Sequence, residues 1–546
     1  MKKLFSFLAV ATLCLTSVFA QSKLSNWTSV LLEQKKQMTS DEFLHNPLGL
    51  VTLDNGREMV DCYVHFKDAI DEGIFAGYDA KLLTKFEGVN IVTASVPVAA
   101  LEALSENEKV AYVEVAMPVE PKLENARYLS MADRAIYGYD PLPRQFQGDG
   151  VIVGVVDQEL QYGHPAFWNE EHTRFRIKKV WNQQKNGTPP DDFTYGTEHV
   201  DSFEIVQAKY DITNSIAESG HATHVMGIAA GADHTLPYYG IAQKSDIIYV
   251  SCPGTSMTNI PSGIKYIFKQ AKEMNKPCVI NVSMGGWSGP HDGTSTESRT
   301  IESMIGPGRI VCGSAGNEGD AKIHCGMSFS ADDTTGRVVY NVADNLPAYY
   351  TYDPCLTEIW GDSNIHYEVR LVVYTRDSMA DVWTSEWCNA TPEPRHNVTI
   401  NHKLSIYKTD DLYLTGSLVG SVGQYNKRGN VSISLGIHSL PERCIFVLEV
   451  KASEGTVNFF TSDQVGYYSN GGAKKFGFYN GDTDMTICEP SGVTKNIVTV
   501  GAYTSYAKGG YGTVGEKASF SSMGPTLDGR IKPDISAPGM TLVSAY

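Results

Sequence analysis

Two spacings of apolar residues divide the chain. Val60, Cys62, Val64 and Phe66 alternate with Asp61, Tyr63, His65 and Lys67, the period of a half-buried strand. Val89 to Val96 predicts a second strand. Pro97 then suits the first turn of a short helix through VAALEALSE, and Val110 to Val115 predicts a returning strand. Together, residues 58–119 predict a small α+β unit of the ferredoxin-like type, closed by Pro118 and Pro121. From about residue 148 the strands become apolar on both faces: Val151–Val156, Asp246–Val250, Cys278–Val282, Arg309–Cys312 and Asn496–Val500. Helical patterns at His221–Ala230 and Ser262–Met274 fall between them. That is the signature of an α/β fold with a parallel sheet covered on both sides, whose functional groups lie beyond the carboxyl ends of its strands. Residues 320–485 break the rhythm, because Ile365, Tyr367, Val369, Leu371 and Val373 alternate with mostly polar neighbours, as do Val431, Ile433, Leu435 and Ile437. Short strands without helices predict an inserted β-sandwich, jelly-roll-like, after which Asn496–Val500 resumes the α/β pattern.

Composition narrows the class. At 546 residues the chain has room for three or four domains of roughly 150 residues. Hydrophobic residues at 42% and charged residues at 20% are globular values, which excludes collagen-like, coiled-coil and wholly disordered chains. Lys+Arg 45 against Asp+Glu 62 gives 45 − 62 = −17, and no basic patch interrupts the excess, so nucleic acid is excluded as a partner. Met1 to Ala20 places two lysines before an apolar stretch that closes on Val18-Phe19-Ala20, the form of a cleavable export signal. No later stretch approaches a membrane span, so a secreted or periplasmic protein without a transmembrane segment is expected. Nine cysteines follow Cys14 without a CxxC pair, which gives zinc no support. Cys278 and Cys312 sit in apolar runs and are expected as buried free thiols; the pairing of the others stays open.

Asp157 ends the apolar strand VIVGVVD, where open sheets place functional groups, although an Asp after a strand more often caps a turn. His221 opens the predicted helix in SGHATHVMGIAAG, with small residues after it. Taken alone, each is more simply structural. Their order and surroundings change that: the chain resembles the subtilisin-like serine proteases. QGDGVIVGVVDQELQYGHPAF resembles the strand carrying that family's catalytic Asp, SGHATHVMGIAAG its His block, and NVSMGG and GSAGN its substrate strand and oxyanion block. FSSMGPTLDGRIKPDISAPG resembles the stretch before the nucleophile. The resemblance implies Asp157 and His221 as triad members and Asn317 as the oxyanion donor. It further implies that Ser283, Met284 and Gly285, with Ser314, Ala315 and Gly316, wall the substrate pocket. Two departures stand out: Gln158-Glu159 replace Thr/Ser-Gly, and Ala222 replaces a glycine.

The family's nucleophile lies in a Gly-Thr-Ser-Met block after Ala-Pro-Gly, whereas Ala537-Pro538-Gly539 is followed here by only MTLVSAY. Gly254-Thr255-Ser256-Met257 copies that block but precedes the substrate strand, and Ser544 lacks the glycine context, so neither is taken as nucleophile. The sequence is therefore expected to be a fragment of a longer serine endopeptidase made as a zymogen. The alternative is an inactive relative that binds peptides or regulates a partner. The implied division is a signal peptide (1–20), an extension (21–57), an inhibitory propeptide (58–120), the first part of the catalytic domain (121–319), the insert (320–485) and the second part (486–546). The insert beside Asn317 resembles the Csp-like subgroup. Implied partners are protein or peptide substrates and the chain's own propeptide as intramolecular inhibitor. No cofactor is required; a structural calcium is compatible with the family, without assigned ligands.

Overall fold

A computed structural model describes residues 23–546 apart from 39–42, 44–50, 55, 117–119, 122–128, 212–219, 233–238, 255, 345, 347–351, 364, 391–394, 408–409, 473–476, 506–512, 541, 543 and 546. The expected signal segment falls outside the described residues. Helix α1 (Asn26–Gln37) starts where Ser25 caps it, its Oγ accepting the Thr28 N–H at 3.1 Å. An antiparallel sheet follows, made of β1 (Thr52–Asp54), β2 (Arg57–Phe66), β3 (Lys81–Phe86), β4 (Ile91–Pro97) and β5 (Val110–Val115). Its order is β1-β2-β4-β3, and β5 pairs with β2. Strand β3 has no counterpart in the predicted elements. The helix after Pro97 begins a turn late: residues 98–100 are 3₁₀, and α2 spans Leu101–Glu106.

Strand β2 departs instructively from its alternating pattern. Val60, Cys62 and Val64 are buried as predicted, but so are Tyr63 and His65 on the opposite face. Their cover is the rest of the chain: the Tyr63 hydroxyl donates to the Met257 carbonyl at 3.4 Å, and His65 Nε2 lies 3.3 Å from Thr296 Oγ1.

The central sheet holds β6 (Ile152–Asp157), β7 (Ile177–Asn182), β8 (Thr197–His199), β9 (Asp246–Ser251), β10 (Cys278–Val282), β11 (Arg309–Ser314), β12 (Val498–Thr504) and β13 (Ile535–Met540). The order is β13-β12-β11-β10-β6-β9-β7-β8, and every pair is parallel except β7 with β8. Strands β6 and β9 are buried along their whole length because helices cover both faces. Ile152, Val156, Ile248 and Val250 pack with Ile264 and Ile267 of α4 (Asn259–Glu273). Val153, Val155, Ile247 and Tyr249 pack with Ala222, Val225 and Met226 of α3 (His221–Ala230). Each such side chain contributes about 1.5–3 kcal/mol on full burial. A short helix α5 (Thr296–Glu302) completes the side that faces the N-terminal sheet. The chain leaves β6 for one flank (β7, β9) and returns to the other (β10, β11), which makes the carboxyl end of β6 the switch point of the sheet. Asp157 sits there.

Residues 320–485 form two antiparallel six-stranded sheets sharing an apolar core; among the described residues they hold no helix. Apart from Ile365, the two predicted alternating runs fall in Tyr367–Thr375 and Arg428–Ser439, one in each sheet. Val369, Leu371 and Val373 meet Ile433, Leu435 and Ile437 in that core. Their polar neighbours Ser432 and Ser434 turn to the outer face, where α1 lies and Gln34 Nε2 donates to Ser434 Oγ. The nine described cysteines are thiols, Cys312 half-buried and the others buried.

Candidate active site

The first turn of a helix leaves main-chain N–H groups without helical acceptors. In α3 these donors reach the two residues that follow Asp157: Ala222 N–H donates to the Gln158 carbonyl at 2.8 Å and Thr223 N–H to the Glu159 carbonyl at 3.4 Å. Thr223 Oγ1 ties the same loop twice, donating to Glu159 O at 3.1 Å and accepting from Gln161 N–H at 2.9 Å. The start of α3 is thus pinned to the end of β6. His221, first residue of the helix, meets Asp157 as a result: Nδ1 lies 2.6 Å from Asp157 Oδ1.

Asp157 is fully buried. Its Oδ1 also accepts the Gln158 N–H at 2.7 Å, and its main-chain carbonyl accepts from Cys252 N–H at 2.7 Å and the Tyr249 hydroxyl at 3.0 Å. Burial raises the carboxyl above the usual carboxylate range, opposed by the His221 ring and the Gln158 N–H. With the carboxylate ionised, the proton of His221 stands on Nδ1 and Nε2 is left as the basic nitrogen.

The other expected residues line up on neighbouring strand ends. Asn317 follows β11, two strands from β6, on a loop held by Glu318. The Glu318 carboxylate accepts the Asn317 main-chain N–H at 2.9 Å and the Ser522 hydroxyl at 3.0 Å, while Ser522 Oγ accepts the Glu318 N–H at 2.9 Å. Gly316 precedes it at φ = 121°, and a Cβ there would stand 2.6 Å from both Glu318 Oε2 and Ser522 Oγ. Ser283 is buried and accepts from Asn281 Nδ2 at 2.9 Å; Met284 and Ser314 are buried too. With these side chains buried, the main chain is what Ser283, Met284 and Ser314 leave for contact. The Met284–Gly285 edge is already paired: Glu120–Pro121 runs antiparallel to it, Pro121 opposite Met284 and Glu120 opposite Gly285. Ser256 of the misleading Gly-Thr-Ser-Met is buried, its hydroxyl bonded to Thr258 Oγ1 at 2.8 Å, and Ser544 lies against Gly227 of α3.

A family model for the subtilase family (Peptidase_S8) matches residues 148–369 and 439–546, the span that contains Asp157, His221, Asn317 and the segments 283–285 and 314–316. The chain belongs to the subtilase family. Subtilisin-like protease 9 of Arthroderma benhamiae is 24% identical over 262 residues, 45% of this chain and 54% of that one. Subtilisin E of Bacillus subtilis is 23% identical over 266 residues, 47% and 55% of the two chains. The chain spans about half or less of the length of such curated relatives. The solved CspB protease of Clostridium perfringens shares the fold with a TM-score of 0.57 over 77% of this chain and 82% of that one, at 19% identity. That shared fold agrees with the resemblance to the Csp-like subgroup. The stretch 370–438, which the family model passes over, lies wholly among the sandwich strands.

Within this subtilase the sequence motifs left three contributors unnoticed. Asp211, 1% exposed, accepts Glu159 N–H at 2.9 Å, Leu160 N–H at 3.0 Å, the Tyr249 hydroxyl at 2.6 Å and the Ser251 hydroxyl at 3.0 Å. It fixes the loop after Asp157 from below. Cys488 and Glu489 run between the segments Met284–Gly286 and Ser314–Gly316: Cys488 N–H donates to Ala315 O at 2.9 Å, and Glu489 exchanges main-chain hydrogen bonds with Gly286 at 2.7 and 2.8 Å. A Cβ on Gly285 would lie 2.6 Å from Cys488 Sγ, so glycine there permits the close approach. Hydrogen bonds to loop backbone leave no spacing in a sequence, and that is why these residues were not singled out. Among the described residues no group of three or more His, Cys, Asp or Glu is placed to hold a metal ion, so no step is drawn through calcium, and no helix is long and apolar enough to cross a membrane.

Proposed function

We propose that this chain belongs to an exported serine endopeptidase, with Asp157 and His221 as two members of its triad. The observation that carries the reading is the 2.6 Å contact between Asp157 Oδ1 and His221 Nδ1 at the switch point of a parallel sheet. A serine hydroxyl is a weak nucleophile at neutral pH and needs a base within about 3 Å. Nε2 of His221 would take its proton and pass it to the leaving amine. Asp157 would hold the imidazole in that tautomer and stabilise the imidazolium. Asn317 would donate its side-chain N–H to the tetrahedral oxyanion. The reaction is proposed for a protein that carries the family's Gly-Thr-Ser-Met block after Ala537-Pro538-Gly539.

The same reading takes residues 58–120 as an inhibitory propeptide, 121–319 and 486–546 as the catalytic domain and 320–485 as the insert. It is supported by the pairing of Glu120–Pro121 with Met284–Gly285: an extended peptide adds a strand to an open edge through its main chain, with little demand on its side chains. A segment of the chain lies where a protein substrate would. In the complete protein, a fluorophosphonate should label one serine stoichiometrically, and His221→Ala should abolish both labelling and proteolysis. Asn317→Ala should lower kcat about 10²–10³-fold, the loss known for the equivalent donor of subtilisin, with KM little changed. Absence of labelling in the complete wild-type protein would refute the protease and leave the peptide-binding relative.

A further inference from the structure

Away from Asp157 and His221, ionisable groups concentrate where three parts of the chain meet. A cavity of about 80 Å³ is lined there by α1 and β5 of the N-terminal part, the segment that runs into α5, and the sandwich. Each part brings a carboxyl group to its wall: Glu114 from β5, Glu297 from α5 and Glu358 from the sandwich strand Asp353–Ser363. Glu297 and Glu358 are 6% and 3% exposed, and Glu114 is half-buried. Glu489 is buried near Glu297. The donors they receive are neutral. Thr296 Oγ1 donates to Glu114 Oε2. Glu358 accepts the Gly289 N–H at 2.8 Å, Trp360 Nε1–H at 3.2 Å and the Ser288 hydroxyl at 3.3 Å. Glu489 accepts the Ser295 hydroxyl at 2.9 Å, His291 N–H at 3.0 Å and the Ser298 hydroxyl at 3.2 Å.

The basic groups at the junction are otherwise engaged. Arg299 lies over the Tyr425 ring, 3.9 Å from its centroid, and Arg395 donates to the Ser25 carbonyl at 2.7 Å. His65 stands between Thr296 Oγ1 and the Tyr425 hydroxyl. Among the described residues none of the four glutamates forms an ion pair. A carboxylate buried without a counter-charge is held in its neutral form instead. Burial accordingly raises Glu114 and Glu358 to about 7 and Glu489 to about 8; Glu297 is raised well above its usual range by burial and by Glu114 beside it.

We propose that this junction is a pH-operated latch, which holds the N-terminal sheet on the rest of the chain while its carboxyl groups are neutral and releases it as they ionise. Once separated, Glu114, Glu297 and Glu358 would face water and titrate near about 4.5. Seating the sheet therefore takes up protons above that pH, so the seated state weakens as pH rises toward 7. His65 works in the opposite sense, because burial, with Arg299 nearby, lowers it to about 3 from near 6.5. Seating releases its proton below about 6.5. Three carboxyls against one imidazole leave a net uptake from about pH 5 to 7, and His65 opposes it less as pH passes about 6.5. The phenols of Tyr112 and Tyr425 are pushed upward by burial and do not titrate in this window. Glu489 is enclosed by Ser295, Ser298 and His291 of its own part and contributes least. Each net proton weakens seating tenfold per pH unit.

The latch operates on the unit read above as an inhibitory propeptide, but its test needs no activity. Hydrogen exchange on the full chain between about pH 5 and 7.5 gives the protection of β5 amides relative to those of β6, an internal standard for the pH dependence of exchange itself. The relative protection of β5 should fall tenfold or more per pH unit above about 6. Glu114→Gln keeps an acceptor for Thr296 and should make that fall shallower by as much as tenfold per unit; Glu358→Gln provides the same reading should Glu114→Gln fail to fold. Trp27 and Trp287, 5.7 Å apart edge to face across the junction, should report the same transition by fluorescence. Relative protection independent of pH, or a Gln variant whose profile superimposes on the wild type, would overturn the latch. Either outcome leaves the fluorophosphonate result to decide the protease separately.

Discussion

Glu159 stands two residues after Asp157 with φ = 71°, a left-handed conformation that costs a residue with a Cβ about 1–2 kcal/mol. The resemblance expects glycine there, and the backbone shows why. The return for keeping a side chain is small: Oε2 receives the His221 main-chain N–H at a long 3.5 Å. Glu159→Gly should therefore raise the unfolding midpoint, the stability gaining about 0.5–1 kcal/mol once the extra chain entropy of glycine is subtracted. The carbonyls of residues 158 and 159 would still receive the first turn of α3, so the contact between Asp157 and His221 should survive. A lowered midpoint would show that the carboxylate matters more than its hydrogen bond suggests. Ala222, the other departure, is fully buried in the core of α3 and β6, where its methyl is accommodated. Asp157 and His221 were legible because they close a strand and open a helix inside distinctive blocks; Asp211 was not, because its four donors come from residues scattered over 92 positions, Glu159 to Ser251.

At the scale of elements, apolar runs marked the positions of the central strands well and their ends less well. Strand β11 continues to Ser314 and β12 to Thr504, past the apolar residues that announced them, because parallel partners supply main-chain hydrogen bonds regardless of side chain. Lys81–Phe86 escaped notice because its lysines and threonine mask a weak alternation, and its partner β4 decides its state. The loop after β11 belongs to this scale too, since Asn317 is placed by a clamp of Glu318 and Ser522 joining segments more than 200 residues apart. Gly316→Ala would drive a methyl into that clamp from a backbone angle alanine rarely adopts. In the complete protein it should cost kcat about as much as removing Asn317 itself, with the exchange protection of β10 and β11 unchanged. Loss of protection in those strands would mean that the loop holds up the sheet, and not only the donor.

The molecule as a whole is built on cores of unequal independence. The apolar residues of the N-terminal sheet, Val60, Val92 and Val113 among them, belong to one cluster with Ile264, Ile267 and Ile301 of α4 and α5. The opposite face of β2 is covered separately, Tyr63 by Phe86, Ile91 and Met257 and His65 by Thr296, so a period of two records the face with its own apolar core and misses the one covered by segments far along the chain. The sandwich is different. Its main cluster is drawn entirely from residues 325–479 and contains no residue of β6–β13. An element whose apolar contacts are its own unfolds on its own account. Leu435 is fully buried in that cluster, and truncating it should cost about 2–5 kcal/mol. If the sandwich is cooperative by itself, Leu435→Ala should lower exchange protection throughout Arg428–Ser439 and Tyr367–Thr375 while β6 and β10 keep theirs. It should also leave fluorophosphonate labelling of the complete protein near the wild-type rate. Equal loss in β6 would instead bind the sandwich to the central sheet as one folding unit, through Leu356, Val419 and Val465, which it lends to the neighbouring core, and Trp360 and Phe460, which pack with Leu527.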